Sequence, residues 1–245
     1  TLEANPDDLT PAYIADLRNF PFNRLSMGIQ TFNEQTLKLL NRRHTGTQAI
    51  QAYDNCRKAG FQNISIDLIY GLPGEDKLLW QKDLEQATAM RPEHISAYHL
   101  IYEENTPLWK LREQHKVHEA DEDLSLSLFS LLIEHLSAHG YQHYEISNFC
   151  LPDNSSYWKE EKYLGCGPSA HSYNGKEREW NISSLDEYIA GIRSGNRHFE
   201  IETLDLYTRY NDYVITSLRT CWGMNLEHLK QEYGEKLYHY CMKLA

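Results

Sequence analysis

The sequence predicts an α/β protein: a partial TIM-like (β/α) barrel followed by a C-terminal, mostly helical domain. Short runs rich in Ile, Leu, Val and Tyr alternate with longer segments of helical periodicity, the pattern of parallel strands joined by helices. Polar residues close those runs in succession, as they do in barrels and open parallel sheets, where ligands sit at the carboxyl ends of strands. A chain of 245 residues with 41% hydrophobic content has room for one large core or two modest ones.

Taken in order, Thr1 to Ala4 reads as a strand and Pro11 to Asn19 as a helix. A strand over Arg24 to Ile29 leads to helices over Glu34 to Asn41 and Thr47 to Ala59, the second stopped by Gly60. Ile64 to Tyr70 is a strand followed by a helix over Leu78 to Met90. His94 to Leu100 is the next strand, and Asp121 to Ala138 has apolar residues at helical spacing up to a stop at Gly140. Tyr144 to Ser147 reads as one more strand of the same parallel sheet. A second region begins near Ser183, so the domains are read as 1–182 and 183–245. Within it Leu185 to Arg193 is a helix ended by Gly195 and Asn196, Leu206 to Thr220 is another, and Asn225 to Leu244 gives one or two more. That last stretch has no obvious finish, as if a small helical domain were cut partway.

Composition excludes several classes. No run of 18 apolar residues is present, and Thr1 to Thr10 is polar and contains a proline, so neither a membrane span nor a signal peptide is read and a cytoplasmic location is expected. Cys56, Cys150, Cys166, Cys221 and Cys241 are scattered without tight spacing, which argues for reduced thiols over a disulfide framework or a zinc knuckle. A formal charge of -11 repels a phosphate backbone, so nucleic acid is not expected as a partner.

The strand-closing residues are Glu3, Gln30, Asp67 with the turn Tyr70-Gly71-Leu72-Pro73-Gly74, Tyr98, and Glu145 with Ser147. Each alone reads as a capping or solvated loop residue, but five in succession suit a ligand with hydroxyls and an ammonium group, such as a ribose and an amino acid head group. Arg42 is open to two readings, a forked donor for a carboxylate or a solvated helix-end arginine. The turn after Tyr70 allows close backbone approach to a ligand, though tight βα turns often look alike. The glycine-rich Tyr163 to Ser172 segment, with His171, either packs on a planar ligand or forms a simple turn. Asn154 to Trp158 places two aromatics beside polar residues, which fits core or interface packing.

The segments Leu2-Glu3-Ala4-Asn5-Pro6-Asp7, Asn23 to Asn33 (Asn-Arg-Leu-Ser-Met-Gly-Ile-Gln-Thr-Phe-Asn) and Ile66-Asp67-Leu68-Ile69-Tyr70-Gly71-Leu72-Pro73-Gly74 closely resemble radical S-adenosylmethionine (SAM) proteins of the oxygen-independent coproporphyrinogen III oxidase-like family. Glu145-Ile146-Ser147-Asn148-Phe149 and the Gly165 to Ser172 segment extend the resemblance over nearly the whole chain, most of all to the haem chaperone branch. The resemblance implies a radical SAM type of barrel. It implies that Glu3, Gln30, Arg42 and Asp67 contact SAM, with Arg42 at its carboxylate and Gln30 and Asp67 near the ribose. It also implies a [4Fe-4S] cluster held by a C-x-x-x-C-x-x-C loop after the first barrel strand. No such loop is in this sequence, and Thr1 falls on what the family makes an internal strand, so the expected cluster ligands precede the chain. Where the chaperone branch carries a His before the Asn of the aromatic segment, Asp153 stands here, at a short Pro152 to Asn154 junction that implies either lost haem ligation or absent residues. The implied functions are a haem chaperone that binds porphyrin or haem and delivers it to an acceptor protein, or an oxidative decarboxylase of coproporphyrinogen III. A barrel remnant that uses neither cluster nor SAM is a third reading.

Overall fold

The computed structural model describes residues 1–152 and 162–244 and divides into two compact units, Thr1–Ser155 and Ser156–Ala245. In the first, the strands are β1 (Leu2–Ala4), β2 (Leu25–Gln30), β3 (Ile64–Tyr70), β4 (His94–His99), β5 (Gln142–Glu145) and β6 (Asn148–Cys150), in the spatial order β1-β2-β3-β4-β6-β5. The helices are α1 (Pro11–Leu17), α2 (Glu34–Leu39), α3 (Gly46–Lys58), α4 (Lys77–Met90), α5 (Pro107–Glu113) and α6 (Glu122–Ala138). The first four strands are parallel, as alternation with helices predicts.

Period-two alternation divides the sheet into two unlike faces. Leu25, Met27, Ile29, Ile64, Ile66, Leu68, Ile95 and Ala97 point to one side and join α3 (Ala49, Ala52, Tyr53, Cys56), α4 (Trp80, Leu84, Ala87) and α6 (Leu128, Leu132, Leu136) in a single core. Glu3, Ser26, Gly28, Ser65, Asp67, His94 and Ser96 alternate with them on the other face. Parallel strands buried on both sides are usually apolar throughout, and this polar face departs from that pattern. At the opposite, amino end of the strands, Arg57 clamps both Glu93 carboxylate oxygens at 2.7 Å, and Glu93 accepts from the Ile64 amide at 2.8 Å.

Two expectations change. The strand read at Tyr144 to Ser147 is instead a hairpin, β5 and β6, with β6 antiparallel to β4; the two-residue connection Ile146-Ser147 is too short for a parallel crossover. The second unit, read as mostly helical from residue 183, also includes an antiparallel sheet: β7 (His171–Tyr173), β8 (Glu177–Asn181) and β9 (Phe199–Thr203) accompany α7 (Leu185–Ser194), α8 (Leu206–Arg219) and α9 (Leu226–Leu244). Because β9 pairs with β8, the strands before residue 183 group with the chain after it, and the units part near residue 155. Within this unit Tyr210, Tyr213, Leu229, Tyr233 and Leu237 make a small separate core, and Gly234 at φ 83° kinks α9. No helix among the described residues is long and apolar enough to cross a membrane.

Candidate functional site at the carboxyl ends of the strands

Strand register sets the two acidic residues on one face, one rung apart. Glu3 pairs with Ser26, and Gly28 with Asp67, so both carboxylates stand on the polar face of three adjacent strands. Asp67 is part-buried, and burial raises its carboxyl above the usual range, opposed by the hydroxyls of Ser96 and Ser26 and helped by the Glu3 charge. Its Oδ2 accepts from Ser26 Oγ at 3.3 Å.

Gln30 closes β2 at a bulge, with φ 71°. Three contacts hold this turn: Asp83 on α4 accepts from Thr31 Oγ1 at 2.5 Å and from the Phe32 amide at 3.0 Å, and His44 Nε2 donates to the Ile29 carbonyl at 3.1 Å. The Gln30 side chain folds back over Gly28, where a Cβ would stand 2.8 Å from Gln30 Nε2 and 3.4 Å from Arg42 Nη2. Only glycine leaves room there for both side chains.

Arg42 reaches the same point by helix-end geometry. After α2 the Asn41 backbone is left-handed, the Asn41 amide bonds the Lys38 carbonyl and the Arg42 amide bonds the Leu37 carbonyl, a Schellman ending that turns the chain back. Arg42 Nη2 then donates to the Gly28 carbonyl at 2.9 Å and to Asn5 Oδ1 at 2.8 Å. Of its two readings, the solvated helix end gives way to an arginine pinned at the rim.

The polar face continues across the sheet. Ser96 Oγ donates to Asn148 Oδ1 at 3.0 Å, and Asn148 Nδ2 donates to Glu145 Oε2 at 2.6 Å. One rung lower, Ser65 Oγ meets His94 Nδ1 at 2.8 Å and His94 Nε2 meets the Tyr144 hydroxyl at 2.7 Å, all buried. Burial pushes the His94 imidazole down to about 3 and so keeps it neutral. Tyr98, 46% exposed, stands above this ladder. The serines, His94, Asn148 and Asp83 were missed by sequence reading. Serines alternating with Ile and Leu inside strands that should be apolar were the available signal.

Two glycine-rich segments are held by contacts within the fold. The amides of Gly71 and Leu72 both bond Glu75 Oε2, at 2.6 and 3.3 Å, and the close approach at Gly71 is made by His99, whose Nε2 would lie 2.7 Å from a Cβ there. In the second unit Asn181 Nδ2 ties the Gly165 and Gly167 carbonyls at 3.3 and 2.9 Å, and a Cβ at Gly165 would lie 2.1 Å from the His171 carbonyl oxygen. The Asn154 to Trp158 segment and Asp153 lie outside the described residues. Cys56 and Cys150 are buried, and among the described residues no group of three or more His, Cys, Asp or Glu side chains is arranged to hold a metal ion.

Residues 1–86 match the family model of the radical SAM superfamily. The chain is 33% identical over 246 residues to the heme chaperone HemW of Lactococcus lactis, covering 97% of this chain and 65% of that protein. It is 31% identical to the heme chaperone HemW of Bacillus subtilis, covering 96% of this chain and 64% of that one. It is also 31% identical to the mitochondrial radical S-adenosyl methionine domain-containing protein 1 of Danio rerio, over 93% and 54% of the two chains. The chain therefore spans less than two thirds of the length of these relatives. Coproporphyrinogen III oxidase (HemN) from Escherichia coli has the same fold, with a TM-score of 0.79 at 23% identity over 97% of this chain and 59% of that one.

Proposed function

We propose, from the premise that this chain belongs to the radical SAM superfamily in its coproporphyrinogen III oxidase-like branch, that it carries the SAM-binding rim of a haem chaperone. The family implies SAM and a [4Fe-4S] cluster; the haem role is suggested by the heme chaperones the chain is similar to.

The observation that carries the SAM reading is the approach of Gln30 and Arg42 over Gly28, the register partner of Asp67, with Glu3 one rung lower on the same polar face. The donor set fits the group. Asp67 and Glu3 are acceptors suited to ribose hydroxyls and an ammonium, the Gln30 amide both donates and accepts, and the Arg42 guanidinium offers a fork to a carboxylate. Gly28 keeps the floor open between Gln30 and Arg42. Asp67, drawn out of water and reached by the hydroxyls of Ser96 and, at 3.3 Å, Ser26, has acceptor capacity for incoming hydroxyls. Bound beside a reduced cluster, SAM supplies a 5'-deoxyadenosyl radical. The described residues do not fit the cluster itself, since no thiolate set is among them, and the roles given to these side chains are binding and orientation alone.

The test uses the whole gene product after anaerobic reconstitution. Equilibrium dialysis with SAM should give saturable binding that Asp67→Asn weakens at least about tenfold, the scale of a charged hydrogen-bond acceptor lost from a partly desolvated site. Haem titration should give a saturable Soret band and transfer to an apo-acceptor. Unaltered SAM binding in Asp67→Asn rejects the rim. Carbon dioxide released from coproporphyrinogen III, with no haem uptake, replaces the chaperone role with oxidative decarboxylation.

A further inference from the structure

The hydrogen-bonded ladder runs on past Asp67, and its far end governs where one proton points. Ser96 Oγ on β4 lies beside the Asp67 carboxylate and 3.0 Å from Asn148 Oδ1. A serine hydroxyl has one proton and can serve only one of these acceptors. The Asn148 amide is not free to turn. Its nitrogen lies 2.6 Å from Glu145 Oε2, and a carboxylate only accepts, so the amide oxygen must face Ser96. Glu145 is 1% exposed and its Oε2 also accepts from the Ser147 amide at 2.9 Å. The bond formed in good geometry is the one to Asn148, so Asp67 is left with a looser share of the Ser96 hydroxyl beside the 3.3 Å contact from Ser26.

We propose that Asn148, oriented by Glu145, is a positioning residue that competes with Asp67 for the Ser96 proton, leaving the Asp67 oxygens under-bonded for the hydroxyls of a bound ribose. The inference rests on the SAM reading of Asp67 and adds two residues that act on it through Ser96. With Asn148 truncated, the Ser96 hydroxyl turns onto Asp67, stabilises its charged form and competes with the ligand. The groups facing Asp67 are Glu3 from β1, Arg24 at the entry to β2, and Ser96 and Tyr98 from β4, with Glu145 acting on Tyr98 from β5. Changing Asn148 alters the charge of none of them, so a displacement of the acid limb between wild type and variant reports on Asp67.

The experiment measures SAM affinity by calorimetry from about pH 5 to about pH 8 on the reconstituted whole gene product, where one neutral hydrogen bond is worth about fivefold. Asn148→Ala should raise the Kd about fivefold at neutral pH and move the acid limb to lower pH. The double variant S96A/N148A should return the limb towards the wild-type position, because the hydroxyl that turned is gone. Glu145→Gln, near-isosteric, frees the amide to flip and should move the limb the same way by less; it carries the test if Asn148→Ala fails to fold. A limb unmoved in Glu145→Gln and in folded Asn148→Ala overturns the proposal, as does a double variant that stays where Asn148→Ala lies. If Asp67→Asn binds SAM like the wild type, the SAM reading fails; if Asp67→Asn weakens binding while the limb stays fixed, the proton-directing role alone fails.

Discussion

Gln30 holds a left-handed backbone, φ 71°, in a residue that has a Cβ. Such a conformation costs on the order of 1–2 kcal/mol and persists only where its surroundings over-determine it. Here they do, through Asp83 on the Thr31 hydroxyl and Phe32 amide and through His44 on the Ile29 carbonyl. A glycine would meet the same dihedral without strain, so the side chain is kept for a reason other than stability. Gln30→Gly is expected to keep or raise stability by up to about 1 kcal/mol, whereas glycine in an ordinary strand loses about that much. SAM binding should weaken several-fold, about the loss of one hydrogen bond. Urea denaturation and equilibrium dialysis on one preparation check both signs; a variant that is less stable and binds normally removes Gln30 from the rim. The residue type at position 30 was legible in the sequence as a strand-closing amide, but its dihedral was not, because the residues that impose it come from α4 and from the loop before α3.

The turn before α3 places a helix against that strained segment. Thr45 and Gln48 form a reciprocal cap, each side chain bonding the other's backbone amide. Gly46, the next residue, lies under the Phe32 carbonyl, and a Cβ there would stand 2.4 Å from its oxygen. Exchanging a helical glycine for alanine ordinarily stabilises by about 1 kcal/mol. Gly46→Ala is expected to do the reverse, destabilising by about 2 kcal/mol or more as α3 is pushed from the rim turn, and to weaken SAM binding with it. A thermal melt at or above the wild-type value would show that α3 does not press on the turn. At this scale the sequence was most readable where one period ran unbroken: β2, β3 and β4, with α3, α4 and α6, lie close to their predicted bounds. It was least readable where partners are distant in sequence or elements are short. β6 holds three residues, Asn148–Cys150, and its antiparallel pairing with β4 is a tertiary fact that no local period encodes. The alternation Phe199-Glu200-Ile201-Glu202-Thr203 of β9 was visible and passed over, while its partner β8 is too charged, and β7 beyond it too short, to announce a sheet.

Across the first unit, three buried titratable groups with large shifts act on how stability follows pH. Burial raises Glu75 to about 8 and Asp83 to about 6, and lowers His94 to about 3. A carboxyl raised on folding binds its proton more tightly in the native state, so Glu75 removes stability as pH climbs from its unfolded value near 4.5 to about 8. Asp83 acts in the same direction between 3.8 and about 6. His94 acts oppositely: the unfolded chain takes up its proton below 6.5, so its contribution is lost as pH falls from there towards about 3. Below 6.5 the carboxyls and the imidazole therefore oppose each other, and above it Glu75 is the one group of the three still changing. Glu75→Gln keeps an oxygen for the Gly71 and Leu72 amides and carries no charge at any pH. The wild type should lose stability between about pH 6.5 and about pH 8, by up to a few kcal/mol, while Glu75→Gln stays level over that interval and becomes the more stable protein at its alkaline end. Urea titrations of both proteins across the window decide it. Parallel curves would mean that Glu75 is already ionised at neutral pH and that the amides of Gly71 and Leu72 hold it as a carboxylate.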